Sequence, residues 1–439
     1  MLSIIGLIGG LILLITLTMR GMNLLIAAPL SALFLAVLSG LPMFPQLVAE
    51  GEANFVGDYM DGFSGFVASW FLMFLLGSVF GKVMEDSRSA ESVSKWVIDR
   101  IGIKYAVLAV VAACAVLTYG GVSLFIVGFT VFPIALSLFK QANLPRRFIP
   151  AALAFGSVTF TMTSAGSPEI QNWIPIPHLG TSPYAGWEVS LIAAIFMMIT
   201  GYIWLKWMIN RATKNGEKFD EREDDPEEVE RDLPNPLLSG VPLLVVLIIA
   251  FIFHDTLETS ALIIALAGGV FTAWLLNRRY LENVWTSASN GTFGALMAIA
   301  NTAAVVGFGT VARSTPAFET AVDTMTSVPG DPLIGAAIAV LSIVGLTGSA
   351  SGGMEIALPI LGPEYLSQGV NAEALHRVSA LSSGALDSLP HGGYTVTTIR
   401  VICGETHKSA YPAVAAVTVI VPMLGVILSL VLFSMGVGI

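Results

Sequence analysis

Charged side chains are scarce in this chain. Only 12% of its 439 residues are Asp, Glu, Lys or Arg, whereas 55% are hydrophobic and the mean hydropathy is +0.78. A soluble domain carries about 25% charged residues, so the composition excludes a soluble enzyme, a disordered chain and a fibrous protein as the default. Apolar runs near 18 residues recur along the chain, long enough to cross a hydrocarbon core of about 30 Å as helices. The sequence predicts an all-α polytopic membrane protein.

Cysteine and histidine are rare as well. Cys114 and Cys403 both lie in apolar runs, which argues against a disulfide framework. The five histidines are scattered rather than paired at metal-ligand spacing, and neither His-Glu-x-x-His nor Gly-x-Ser-x-Gly occurs. We therefore expect no metal site, no cofactor and no enzymatic activity, and we expect no nucleic-acid partner.

The net charge of −10 is concentrated in one stretch. Residues 217–232 carry ten acidic and three basic side chains, a net charge of −7, which leaves −3 for the rest of the chain. This polar stretch ends in Pro234 and Pro236 and predicts a solvated cytoplasmic linker over residues 210–236. The acidic balance therefore says nothing about the charge of a substrate.

The two halves of the chain repeat at an offset of 228 residues. The offset places Phe80 over Phe308, Gly120 over Gly348 and Ser123 over Ser351. Generic similarity among apolar, glycine-rich helices is the alternative explanation. Internal symmetry is typical of secondary transporters, and we predict a first repeat over residues 1–209 and a second over residues 237–439.

Each half contains an interrupted hydrophobic segment followed by a broken one. A Gly/Ser-rich interruption predicts re-entrant hairpins over residues 104–140 and 332–362, and polar patches predict broken helices over residues 148–172 and 376–400. Non-helical backbone at membrane depth persists only where protein buries it or where it lines a cavity. These discontinuous helices therefore predict a site near the middle of the membrane.

The distribution of basic residues predicts the topology. Each half has five spans plus a hairpin, about ten spans and two hairpins in all, and the odd number of spans inverts the second half relative to the first. With both termini outside, 19 of the 21 Lys and Arg residues face the cytoplasm, which leaves only Arg313 and Arg377 outside. This skew follows the positive-inside rule and predicts a multi-pass protein of the inner, cytoplasmic membrane.

The helix breaks predict a site for an anion. A break exposes peptide N–H groups at a new helix N-terminus, which carries about half a unit of positive charge and binds anions, whereas exposed carbonyl groups suit a cation. Ser167-Pro168 has the N-cap and first-turn chemistry of such a half-helix, and residues 387–390 resemble it less clearly. This combination predicts an organic anion coupled to H⁺ or Na⁺.

Three ionisable residues flank the second tip and the second break. A carboxylate at mid-bilayer costs about 2.5–3.5 kcal/mol, so we predict that Asp387 and Glu355 carry protons, with His391 as a second candidate or as their hydrogen-bond partner. The alternatives are that Asp387 caps the following half-helix and that Glu355 faces an aqueous vestibule. His178 and His376 fall in predicted outer loops.

Hydroxyl, amide and glycine residues at the tips and breaks form the predicted substrate site. For each hydroxyl the alternative is a bond to its own helix or a helix–helix contact. The predicted substrate-binding residues are Thr118, Tyr119, Gly120, Gly121, Ser123, Ser164, Gly166, Ser167, Asn172, Ser349, Ser351, Gly352, Ser383 and Ser388.

Four motifs give the sequence a family resemblance. They are Thr-Tyr-Gly-Gly-Val-Ser at 118–123, Asn-Leu-Pro-Arg-Arg at 143–147, Ala-Leu-Asp-Ser-Leu-Pro-His at 385–391 and Cys-Gly-Glu-Thr-His at 403–407. With them the chain resembles the gluconate:proton symporter (GntP) family of the ion transporter superfamily. The resemblance implies import of gluconate, other sugar acids, D-serine or 3-hydroxybutyrate, mostly with protons. It also implies a homodimer with scaffold and transport domains and elevator-like movement.

Two departures bear on substrate and coupling ion. Residues 163–168 read Thr-Ser-Ala-Gly-Ser-Pro, where gluconate permeases have Pro-Pro-His-Pro-Gly-Pro, and neither tip has the Ser-Asn-Thr signature of sodium-coupled dicarboxylate transporters. We therefore expect a proton-coupled symporter for a small hydroxycarboxylate or other monocarboxylate, with the lipid bilayer and that carboxylate as its partners. The alternatives are a sodium-coupled carboxylate transporter, an anion channel and a membrane-embedded enzyme.

Overall fold

The computed structural model describes residues 2–222, 232–326 and 330–438. Most of the described residues are helical and none of them is in a strand, which confirms the all-α class. Nine residues of the predicted acidic linker, 223–231, lie outside the described ranges.

The first half begins with two apolar helices and a long third one. After a short helix that follows it, two helices joined by the tip at residues 120–123 precede an interrupted helix and a final long helix. The elements are α1 (Leu2–Met19), α2 (Leu24–Ser39), α3 (Phe55–Asp86), α4 (Ser89–Ile101), α5 (Ala106–Tyr119), α6 (Leu124–Gln141), α7 (Ile149–Ala154) with a π-helix (Phe155–Met162), α8 (Ile176–Leu179) and α9 (Trp187–Lys214).

The second half presents a similar order of elements, with its tip at residues 348–349. Its elements are α10 (Pro236–Leu257), α11 (Ser260–Asn277), α12 (Val284–Arg313), α13 (Pro316–Thr326), α14 (Pro332–Thr347), α15 (Ala350–Ser367), α16 (Ala372–Leu386), α17 (Gly393–Val396) with a π-helix (Thr397–Ile402), α18 (His407–Ala415), a π-helix (Ala416–Ile420) and α19 (Val421–Ser434).

Seven helices of the described residues are long and apolar enough to cross a membrane. The pair Ser89–Ile101 and Ile103–Tyr119, bent by 98°, raises the number to eight, and Leu2–Thr18, Leu24–Ser39 and Pro332–Gly345 are apolar but shorter. The multi-pass prediction is confirmed, while the count of about ten spans stays a prediction.

The helices pack in two groups. In the first helix group α3 lies along α12, and α2 also packs on α12. Helix α11 packs on α3, α1 packs on α2, and α10 packs on α11. The second helix group comprises α5–α9 and α14–α19, with the hairpins, the breaks and most of the buried core. Contacts of α12 with α15 join the groups directly, and α4 links them because it packs on both α10 and α5.

Two glycines related by the 228-residue offset have the same packing role. A Cβ added to Gly81 in α3 would lie 2.5 Å from Cδ1 of Ile126 in α6, and one added to Gly309 in α12 would lie 2.3 Å from Cγ1 of Ile356 in α15. In both halves the glycine therefore lets the long helix pack closely against the second helix of the hairpin. Small residues commonly serve this purpose between membrane helices.

The motifs at residues 143–147 and 403–407 meet at one end of the second helix group. Glu405 has a 5% exposed side chain and pairs with Arg146 at 3.3 Å and with Arg222 of the linker at 2.7 Å. Arg147 Nε donates to Glu217 Oε2 at 2.7 Å, and this hydrogen bond lowers the pKa of the Glu217 carboxyl. The described part of the linker is therefore tied to both motifs rather than freely solvated.

Candidate functional site

The first hairpin tip contacts the first break. The Tyr119 hydroxyl donates to the Ala165 carbonyl oxygen at 2.7 Å. Gly121 turns the chain with φ +90°, a conformation that favours glycine, and a Cβ there would lie 3.6 Å from the ring of Pro168. The predicted juxtaposition of tip and break is thus present in the first half as a hydrogen bond and a close backbone approach.

The second tip contacts the second break through a carboxylate. Asp387 Oδ1 accepts a hydrogen bond from the Ala350 N–H at 2.9 Å, and Ala350 is the first residue of α15. Gly348 has φ +65°, and a Cβ there would lie 2.7 Å from Cδ2 of His391. The Asp387 side chain therefore occupies the positive N-terminus of α15, where an anion is stabilised.

The two halves meet between these contacts. Met162 at the end of the first π-helix, Ala350 and Tyr394 share one buried cluster, with Leu124 of α6 packed against it. The rings of Phe125 and Tyr394 are 5.7 Å apart in an edge-on arrangement. The first residues of α6 and α15 thus converge with both breaks, which is the arrangement that the symmetry predicts for a site.

The first break does not start a half-helix, contrary to the sequence prediction. A 3₁₀ turn (Ile170–Asn172) and the four-residue α8 follow it, and no side chain caps the turn. Ser167 is fully buried, and its hydroxyl accepts a long hydrogen bond of 3.4 Å from the Glu169 N–H. The N-cap assignment of Ser167-Pro168 is therefore wrong, because the break is held by tertiary contacts instead of by a helix dipole.

The alternative that Asp387 caps the half-helix after the second break is also wrong. The half-helix after the second break begins after Gly392, without a side-chain cap, and is only four residues long before it becomes a π-helix. Asp387 instead bonds the N-terminus of α15, where Ser349 is the N-cap and accepts from the Gly352 N–H at 3.2 Å. The central α-helical N-termini are those of α6 and α15.

The remaining predicted residues divide into bonded and unbonded groups. The Ser164 hydroxyl donates to the Phe160 carbonyl oxygen at 2.6 Å, and the Ser383 hydroxyl donates to the Ala380 carbonyl oxygen at 2.7 Å. Both hydroxyls therefore bond their own helical segment, which is the alternative to substrate binding. Other predicted residues have a buried side-chain atom without a hydrogen-bond partner in the described part of the chain, namely Oγ1 of Thr118, Oγ of Ser388 and Nε2 of His391. Gly120 and Ser123 lie at the first tip, and Ser351 is the second residue of α15.

Glu355 and His178 face each other across α15 and α8. Their side chains are 3.9 Å apart and 16% and 20% exposed, and within the described residues neither the carboxylate Oε2 nor the imidazole Nε2 has a hydrogen-bond partner. The prediction that His178 belongs to a loop is wrong, since it lies in α8. Among the described residues Glu355 contacts this histidine, and it forms no hydrogen bond with Asp387.

Arg377 is a central residue that the sequence analysis missed. Predicted on the outer side, it lies in α16 and is fully buried. Its guanidinium donates to Asn172 Oδ1 at 2.7 Å and to the carbonyl oxygens of Thr163 at 2.6 Å, Ala185 at 2.9 Å and Pro183 at 3.2 Å. Arg377 therefore holds the first break and the segment before α9 together.

His376 reinforces the same clamp. Predicted in an outer loop, it is completely buried in α16, and its Nδ1 is 2.7 Å from the Thr181 hydroxyl. The prediction that His376 lies in an outer loop is wrong, because α16 begins four residues earlier, at Ala372.

Gly166 provides a direct test of the first break. It has φ +77°, its N–H donates to the Pro183 carbonyl at 3.0 Å, and a Cβ would lie 2.4 Å from Cε1 of Tyr184. We expect Gly166→Ala to destabilise the protein by about 2 kcal/mol or more through backbone strain and overpacking, measured as thermal unfolding in detergent. Gly180→Ala is the control, since Gly180 has φ +65° but no atom within 4 Å of an added Cβ; equal stability of the two variants would contradict the overpacking.

The chain is similar in sequence to a transporter family and to two bacterial transporters. The model of the CitMHS family, described as citrate transporter, matches residues 11–347. The chain is 33% identical to the uncharacterized transporter YxjC of Bacillus subtilis strain 168, over 91% of this chain and 92% of that protein. It is 25% identical to an uncharacterized transporter of Haemophilus influenzae, over 73% and 74% of the two chains.

Two solved structures share the fold. The YdaH transporter of Alcanivorax borkumensis aligns with a TM-score of 0.61 at 13% identity, covering 97% of this chain and 99% of that one. MtrF of Neisseria gonorrhoeae aligns with a TM-score of 0.51 at 12% identity, covering 94% and 95%. The family and relatives confirm a secondary transporter and not an enzyme, while the resemblance to the GntP family stays a prediction.

Proposed function

Because this chain belongs to the CitMHS citrate transporter family, we propose that it is a proton-coupled symporter for a small organic anion with a carboxylate group. Hydroxycarboxylates and other monocarboxylates, such as gluconate or 3-hydroxybutyrate, remain the proposed substrates, and the family description adds citrate, itself a hydroxycarboxylate. The observation that carries the proposal is the hydrogen bond between Asp387 and the first N–H of α15.

This hydrogen bond supports a coupling mechanism based on charge balance. An ionised Asp387 occupies the N-terminus of α15, which favours one negative charge. Protonation makes the side chain neutral and weakens its hold on the Ala350 N–H, so a substrate carboxylate can take that position. One proton and one anion then enter together, and the low-dielectric site avoids both an unpaired negative charge and an empty helix end.

The packing of the helices supports alternating access by an elevator movement. Both tips and both breaks belong to the second helix group, and the long helices α3 and α12 belong to the first. In this proposal the second group moves as one body against the first, which remains fixed within a homodimer. The proposed coupling ion is H⁺ and the alternative is Na⁺. Uptake measured with the pH and Na⁺ gradients imposed separately distinguishes the two ions.

Cysteine labelling tests the proposed orientation in the inner membrane, with both termini outside. The exposed Ala53 precedes α3 and the exposed Lys218 lies in the linker, while Cys114 and Cys403 are buried. We expect Ala53→Cys to react with an impermeant maleimide in intact cells and Lys218→Cys to react only after permeabilisation. The reverse pattern would contradict the orientation. Asn54 is unsuitable for a probe because it is 6% exposed and caps α3.

Counterflow in proteoliposomes tests the proposed class of transporter. Vesicles loaded with an unlabelled carboxylate and diluted into a trace of the labelled compound should transiently accumulate the label, since a carrier exchanges its substrates across the membrane. A panel of citrate, gluconate, 3-hydroxybutyrate and unsubstituted monocarboxylates identifies the substrate. If compounds of the panel are taken up saturably but none of them shows counterflow, the result would favour a channel and contradict the proposal.

A further inference from the structure

A histidine of the last motif contacts the second break. His407 is the first residue of α18, where Thr406 is the N-cap and accepts from the Ser409 N–H at 3.2 Å. Nε2 of His407 is 3.0 Å from the carbonyl oxygen of Pro390, which follows Asp387 by three residues. This hydrogen bond joins the Cys-Gly-Glu-Thr-His motif at 403–407 to the Ala-Leu-Asp-Ser-Leu-Pro-His motif at 385–391.

The neighbours of the His407 ring define the position of its hydrogen. A carbonyl oxygen only accepts, so Nε2 carries the hydrogen that is donated to Pro390. Arg400 Nε donates to Nδ1 of the ring at 3.1 Å, so Nδ1 is unprotonated. The Tyr411 ring stacks beside the imidazole with a centroid distance of 6.1 Å. His407 is therefore a neutral donor with one defined tautomer and a defined orientation.

The start of α18 is anchored by a buried ion pair. The Ser409 hydroxyl donates to Glu405 Oε2 at 3.0 Å, and Glu405 pairs with Arg146 at 3.3 Å. Arg147 donates to the Ser409 carbonyl oxygen at 3.3 Å. The charged side chains of this motif, of α18 and of the segments packed on α18 are Arg146, Arg147, Arg400, Glu405 and Lys408. His407 therefore projects from a segment that several charge-assisted hydrogen bonds hold in place.

The turn between Asp387 and Gly392 connects this contact to the Asp387 carboxylate. The Gly392 N–H donates to the Leu389 carbonyl oxygen at 2.8 Å. A Cβ added to Gly392 would lie only 2.2 Å from the carbonyl oxygen of Asp387, so the chain closes tightly on itself. Asp387 Oδ1 in turn accepts from the Ala350 N–H at 2.9 Å. Because the turn is this compact, a displacement of the Pro390 carbonyl group also moves the Asp387 carboxylate away from α15.

We propose that His407 is a positioning residue for proton coupling, because its hydrogen bond to Pro390 keeps the ionised Asp387 at the N-terminus of α15. The inference rests on the proposed function and adds a requirement to it. A substrate anion replaces Asp387 only after protonation, so coupling requires a carboxylate that stays in place while it is charged. Without the His407 contact the turn relaxes, and the N-terminus of α15 accepts an anion in either protonation state of Asp387. The substrate then crosses without a proton.

The pH dependence of substrate affinity tests this role in proteoliposomes with equal pH on both sides. The probe is labelled citrate, gluconate or 3-hydroxybutyrate, whichever the wild type exchanges fastest, with its concentration counted as the fully ionised species. If one proton must bind before the substrate, the half-saturating concentration of the wild type rises about 10-fold per pH unit on the alkaline side. His407→Asn should reduce this rise to less than about 3-fold, because the shorter amide does not reach the Pro390 carbonyl oxygen.

Two matched variants show whether the reach of the donor matters. His407→Gln carries the same amide on a side chain that is one methylene longer, so its N–H groups extend to the position of Nε2 and should restore the rise of about 10-fold. Lys408→Asn places the short amide at the exposed next residue and should retain the wild-type slope. All variants are compared at a temperature at which counterflow stays within about 3-fold of the wild type. A merely structural role lowers the rate or the stability and leaves the slope unchanged.

Three kinds of result would contradict the positioning role. A wild-type slope in His407→Asn would overturn the inference and leave proton coupling by Asp387 intact, and so would a flattened slope in His407→Gln or in Lys408→Asn. Loss of counterflow in His407→Asn at every temperature would assign the histidine to folding and would also overturn the inference. A half-saturating concentration that is independent of pH in the wild-type protein would overturn the proposed proton coupling itself.

Discussion

Arg377→Met is expected to abolish transport and to destabilise the protein. The variant removes the donor to three carbonyl oxygens and to the Asn172 amide oxygen, all in the buried interior. A buried acceptor left without a partner costs about 1–3 kcal/mol, so the loss should reach about 3 kcal/mol or more. Thermal unfolding in detergent measures the stability, and uptake at the temperature where the variant stays folded measures the function.

Arg313→Met is the control for the arginine substitution. Arg313 was predicted to share the outer side with Arg377, yet it lies exposed at the end of α12. Its replacement should change stability by less than about 0.5 kcal/mol. Arg377→Lys keeps the charge without the planar set of donors, and we expect intermediate stability. Wild-type stability and uptake in Arg377→Met would show that the arginine does not hold the first break.

Asp387→Asn is expected to abolish accumulation of substrate against its gradient while exchange of labelled for unlabelled substrate persists. Asparagine can still accept from the Ala350 N–H, so the contact between tip and break is retained, but it cannot exchange a proton with the solvent. Proton-driven accumulation should fall at least 100-fold, and counterflow should stay within about 10-fold of the wild type. Accumulation at the wild-type level would remove Asp387 from the coupling.

Glu355→Gln separates the two predicted proton carriers. Glu355 contacts His178 at 3.9 Å rather than a helix N-terminus, so its loss should leave accumulation within about 3-fold of the wild type if Asp387 alone carries the proton. The opposite pair of results, with Glu355→Gln uncoupled and Asp387→Asn coupled, would assign the proton to Glu355.

The tips could be predicted from sequence because their signal is local. Glycine and serine interrupt apolar segments, and a glycine such as Gly348 supplies the left-handed turn that ends α14. Helices α5 (Ala106–Tyr119) and α6 (Leu124–Gln141) flank the first tip, while the re-entrant hairpin over residues 104–140 stays a prediction. The same local reasoning fails at Ser167-Pro168. An N-cap sequence shows only that the residue is able to cap a helix, whereas packing decides whether a helix follows.

The partners of Arg377 and Asp387 could not be predicted from the sequence. Arg377 bonds residues about 200 positions earlier, and Asp387 bonds Ala350 of another helix. A rule that counts basic residues places an arginine outside the membrane, and only the fold provides the carbonyl oxygens that make its burial possible. Long-range polar contacts of this kind leave no periodic pattern in the sequence.

Accumulation of a labelled carboxylate by wild-type proteoliposomes, with the pH and Na⁺ gradients imposed separately, tests the central claim most directly. The account predicts accumulation above the external concentration when the vesicle interior is alkaline, with no Na⁺ present, and collapse of that accumulation when a protonophore is added. Accumulation that requires a Na⁺ gradient and ignores the pH gradient would contradict proton coupling, and equilibration without accumulation under either gradient would contradict symport.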